Sequence, residues 1–118
     1  MRRTRNDRGV VAIEFVLVFP FLLLILFAVV VMGGYMSAKT RTVGAARDGA
    51  RAAALSQAYT PPSGITVVLT SAPCPPRTDP TFNTRDVTVK ASSTFTAVSI
   101  IGMPAQTITE PGKMRCGG

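Results

Sequence analysis

From Val10 to Met32 the chain is apolar at every position except Glu14 and Pro20. The run shows no polar stripe; it is apolar all round, as a helix in lipid must be. At about 1.5 Å per residue such a helix extends roughly 34 Å, against a bilayer hydrocarbon core of about 30 Å. The pattern predicts a transmembrane helix over residues 10–34. It changes at Tyr35, where an alanine-rich stretch predicts that the helix continues to Ala58, within an extension over residues 35–59. Val43, Ala46, Ala50 and Ala53 recur there at helical spacing. Gly44 and Gly49 would let another backbone come close. The smooth face of Gly44, Ala46, Gly49, Ala50 and Ala53 fits a partner subunit's helix or this chain's own sheet equally well.

Thr60-Pro61-Pro62-Ser63-Gly64 stops the helix and turns the chain. The β-branched stretch Ile65 to Ser71 then predicts a strand, and Ala72 to Asn83, with its prolines and Cys74, an irregular loop. Val87, Val89 and Ala91 alternate with Thr88 and Lys90, the period of a half-buried strand reaching Phe95. Val98 to Met103 is an apolar bend, suited to a partner contact or to covering the underside of a sheet. Gln106 to Glu110 and Lys113 to Cys116 read as two strands joined by a type II turn at Pro111-Gly112. The expected class is α+β: a long amino-terminal transmembrane helix, continued outside the membrane and packed by an antiparallel sheet of about three to four strands within residues 60–118.

Charge adds to this picture. The net charge of +7 could suit nucleic acid, but its placement does not. Arg2, Arg3, Arg5 and Arg8 precede the apolar run, and Lys39, Arg41, Arg47 and Arg51 follow it. Basic flanks of this kind meet lipid headgroups, and the aromatic residues are not interleaved with them as on a nucleic-acid surface. The near tie in flanking charge leaves orientation open. Cys74 and Cys116 tip it. They read either as one disulfide, which would staple a small core in an oxidising compartment, or as two unpaired thiols in a reducing cell; the disulfide is the expectation, and with it the carboxyl-terminal part should face outward. The apolar run is too long for a removable secretory signal. No histidine occurs, neither cysteine has a base beside it, and no phosphate loop is present, so no enzyme, metal site, cofactor or small-molecule substrate is expected.

Two residues of the run stand out. A carboxylate just inside a membrane-length segment is costly and normally has a task, which singles out Glu14. Pro20 has no amide hydrogen and predicts a kink or one melted turn.

Three stretches, "RGVVAIEFVLVFPFLLLILF", "VGAARDGARAAA" and "GMPAQTITEPGKMR", resemble the TadE/TadG-like family of minor pilins (pseudopilins) from the tight-adherence (Flp/Tad) branch of type IV pilus systems. The resemblance implies a basic cytoplasmic leader over residues 1–9, cut by prepilin peptidase after Gly9. Val10 would become the new amino terminus, with Glu14-Phe15 as the fifth and sixth residues of the mature chain. It implies that Glu14 pairs with the amino terminus of a neighbouring subunit, setting register because an unpaired desolvated charge is costly. The implied partners are the peptidase, other pilins and minor pilins, the assembly platform in the membrane, and lipid. The implied location is the bacterial inner membrane, amino terminus inside, with incorporation into a surface pilus that serves adhesion. The alternative is an unprocessed single-pass inner-membrane protein with a small extracytoplasmic interaction domain.

Overall fold

The computed structural model describes residues 7–117; Arg2, Arg3 and Arg5 of the expected leader lie outside the described residues. The elements are helix α1 (Asp7–Ala54) and strands β1 (Ile65–Leu69), β2 (Asp86–Phe95) and β3 (Gln106–Arg115), with two short 3₁₀ turns at Phe82–Thr84 and Ala97–Ile101. The chain divides into two compact units, one ending at Gly33 and one running from Gly34.

Among the described residues the first unit is helix alone. Its apolar side chains are largely exposed: Phe15 is 65% exposed and Leu24 is 65% exposed. An apolar cylinder of this kind is stable only against lipid or other apolar helices. The helical backbone runs through Pro20 unbroken, so the expected melted turn is absent. Proline costs the helix one amide donor, which leaves the ladder on either side of it intact.

The second unit is the rest of α1 with an antiparallel sheet in the order β1-β2-β3. β2 is central and alternates as expected: Val87, Val89 and Ala91 are buried. The register sets Val67 opposite Ala91 and Ala91 opposite Glu110. The helix contributes a stripe of Thr42, Ala45, Ala46, Gly49, Ala50 and Ala54, all buried and spaced by threes and fours. Ala45, Ala46 and Ala91 form the centre, with Ile65 and Val67 packed around them. The core is thin: Val87 and Thr42 are its largest fully buried side chains.

Two expectations are corrected here. Pro111-Gly112 makes no turn, and the two short strands predicted on either side of it are one strand, β3. Pro111 is tolerated because β3 is an edge strand, where a residue without an amide donor can face away from its neighbour. Gly112 is there because α1 presses on it: a Cβ at this position would fall on the carbonyl oxygen of Ala46. The helix also stops at Ala54, short of the expected Ala58. Ser56 takes a left-handed conformation at φ 55°. The amide of Gln57 then donates to the carbonyl of Ala52 at 2.8 Å, and that of Ser56 to Ala53 at 3.2 Å. These are the paired bonds of a Schellman cap, with serine where glycine is usual.

Candidate functional site

The residues expected to carry processing and assembly lie on the first turns of α1. Gly9 has open space around it, with no atom within 4 Å of where a Cβ would sit. Val10 and Glu14 are four positions apart, so they share one helix face. Together with Ile13, Leu17 and Val18 they line a shallow, almost wholly apolar concavity. Phe15 points around the helix from Glu14 and its ring lies 5.6 Å from that of Phe19. Chemically this is a single carboxylate on a hydrophobic surface, able to hold one cation if a neighbouring apolar surface excludes water.

The smooth face farther along α1 has a different role. Ala46, Gly49 and Ala50 are buried against this chain's own sheet, and Ala53 is half-buried. A Cβ on Gly49 would come within 2.8 Å of Val67. Of the two uses open in the sequence, these residues serve the internal one. Gly44 differs, being half-buried with no atom within 4 Å of a Cβ position. The stripe is also turned slightly from the expected one, so that Ala45 is buried while Val43 is half-buried.

Several residues that position this unit carry little sequence signal. Thr42 is fully buried and its hydroxyl donates to the carbonyl of Ala38 at 2.8 Å. A hydroxyl has one proton, so Ser93, 2.6 Å away, is the donor in the link between helix and sheet. Tyr35 and Phe95 meet edge to face at 5.8 Å. Lys39 reaches Glu110 at 3.7 Å, a pair that is partly exposed and contributes under about 1 kcal/mol.

Cys74 and Cys116 are joined in a disulfide, closing a separation of 42 residues. The bridge ties the long proline-rich loop to the end of β3, where the Cys116 amide also donates to the carbonyl of Arg85 at 2.9 Å. Within that loop Asp79 accepts from the Thr81 hydroxyl at 2.7 Å and its amide at 2.8 Å. These two bonds hold the Asp79 carboxyl below its ordinary range. Tyr59 is shifted upward, first by desolvation and then by the nearby Asp48 carboxylate. Among the described residues, no three His, Cys, Asp or Glu side chains gather as a metal site would need.

Residues 9–51 match the family model of TadE-like proteins. Over that span the chain is similar to TadE-like proteins. The match takes in the apolar helix and most of the alanine-rich stretch, and ends before β1. The third stretch of the sequence resemblance, from Gly102 to Arg115, lies beyond it. No curated protein and no solved structure matches the chain. The TadE-like match covers residues 9–51, less than half of the chain, and together with the long exposed apolar helix it supports a membrane protein associated with the Tad pilus.

Proposed function

We propose that this TadE-like chain is a minor pilin or pseudopilin, cut after Gly9 by prepilin peptidase and acting in assembly, initiation or the tip of a tight-adherence pilus. The observation that carries the reading is Glu14: a lone carboxylate four residues beyond Val10, on an apolar helix face that this chain leaves uncovered. Cleavage creates an α-ammonium at Val10. In a lipid or packed-helix setting that cation and the Glu14 carboxylate of a neighbouring subunit each need an opposite charge. Subunits out of register leave both unpaired, at a cost of several kcal/mol. The Gly9–Val10 peptide lies in the first turn of α1. Amides there lack intrahelical partners, so the turn opens at little cost for a protease that needs extended backbone. The family match begins at Gly9 itself, which is consistent with this assignment. The basic leader would hold the amino terminus in the cytoplasm until it is removed.

Amino-terminal mass analysis of membrane fractions, with and without the peptidase, tests the cut. The expected result is a chain beginning at Val10 only where the peptidase is present. A Met1 terminus in both fractions would leave the unprocessed single-pass reading in its place. Glu14→Ala is expected to abolish or strongly reduce incorporation into sheared surface filaments while the disulfide-linked outer unit still forms. Normal incorporation of that variant would remove the register role from Glu14.

A further inference from the structure

We propose that the connection between β2 and β3, residues 96–105, is a second membrane contact: a loop that seats its apolar tip in the interfacial zone of the bilayer. Ile100 is 80% exposed, Ile101 is 52% exposed and Met103 is 56% exposed. The tip of the loop therefore does not cover the underside of the sheet, one of the two uses expected of this bend; Val98 is half-buried.

Several of its backbone amides are paired within the loop. The Ser99 amide and hydroxyl both donate to the carbonyl of Thr96, at 2.9 and 2.6 Å. The Gly102 amide donates to Ser99 at 3.0 Å and that of Met103 to Val98 at 3.3 Å. Gly102, at φ 78°, makes this cap possible. Internal pairing of these amides lowers the cost of bringing the tip against an apolar phase. No charged residue occurs between Lys90 and Glu110, so immersion of the tip brings no ion with it.

Position within the second unit names the occupant. Phe95, the last residue of β2, packs its ring beside Gly34 and edge to face on Tyr35. Those two residues follow the apolar run almost directly, since the run ends at Met32. Any bilayer crossed by that run therefore meets the chain next to Tyr35, a residue type that favours the headgroup level. The exposed Lys39 and Arg41 follow within two turns, suited to anionic headgroups. The loop thus starts beside the residues that follow the apolar run in the chain, and its tip is uncovered. This inference rests on the membrane-span reading, not on cleavage or pilus assembly.

The chain contains no tryptophan, so single substitutions report without background. The full chain is reconstituted at low protein density in phosphatidylglycerol–phosphatidylcholine vesicles, with or without brominated acyl chains. Ile100→Trp and Met103→Trp should show blue-shifted emission that the brominated lipid quenches. Thr109→Trp, on the outward face of β3, should be red-shifted and unquenched. Leu24→Trp marks the span and should be quenched. Quenching at Leu24→Trp with none at Ile100→Trp and Met103→Trp overturns the loop contact alone. Lack of quenching at Leu24→Trp as well overturns the span and the loop together. Blue-shifted but unquenched emission from the loop would assign it to a protein partner and reject lipid. Equal quenching at Thr109→Trp would mean that the outer unit lies on the membrane non-specifically, which also rejects the proposal.

Discussion

Gly112 of the sheet lies directly against the backbone of Ala46 on the helix, where both residues are small. Nothing can yield when a methyl group is added at 112, because the obstruction is backbone, with the Val89 side chain a further 3.2 Å contact. Overpacking of this kind costs on the order of 3 kcal/mol. Gly112→Ala should therefore lower the chemical-denaturation midpoint of the outer unit markedly, whereas Gly44→Ala, with open space around it, should leave that midpoint unchanged or raised. Equal midpoints for the two variants would show that helix and sheet do not approach as described. The sequence announces Gly112 as a glycine after a proline and suggests a turn. Its true reason, a carbonyl oxygen from a residue far back in the chain, is not a local property.

At the scale of elements, the end of α1 and the unity of β3 have the same lesson. The helix ends where Ser56 turns left-handed, and serine does so at an energetic cost of about 1 kcal/mol or more. Replacing it with glycine removes that strain but adds freedom to the unfolded chain. Ser56→Gly should stabilise the outer unit by about 0.5–1 kcal/mol, read as a small rise in its unfolding midpoint in detergent. A fall would mean that the cap is not formed in solution. The alanine run continued the helical signal past this point, because propensity does not record where a chain must turn back onto its own sheet. In β3, Pro111 was the misleading signal. Only the strand order, which leaves β3 at an edge, makes a proline acceptable there.

For the molecule as a whole, the disulfide matters because the outer unit has so little else. Its core is built from alanines and a few valines, and small side chains remove little apolar surface from water. Closing a loop of this length contributes on the order of 4 kcal/mol, comparable with the stability that a domain of this size can reach. The double variant Cys74→Ala, Cys116→Ala should lose cooperative unfolding of the sheet at ambient temperature, while helical circular dichroism from the apolar segment persists. An unchanged transition with and without reductant would show that the core suffices alone.

The apolar run, its lone carboxylate, the glycine before it and the alternation of Val87, Val89 and Ala91 were all legible along the chain. Each depends on near neighbours and on a solvent, lipid or water, that acts on every residue alike. Three things were decided only by tertiary contact. The alanine face of α1 had two possible partners in sequence, and its own sheet took Ala46, Gly49 and Ala50. Pro111-Gly112 became the middle of an edge strand under a helix. The Val98–Met103 bend, open to two uses, has its tip from Ile100 to Met103 exposed, after Phe95, which packs on Tyr35. A hydrophobic pattern states that a surface must be covered. Which surface covers it depends on where the chain's return path brings two distant segments within contact distance, and no local pattern encodes that.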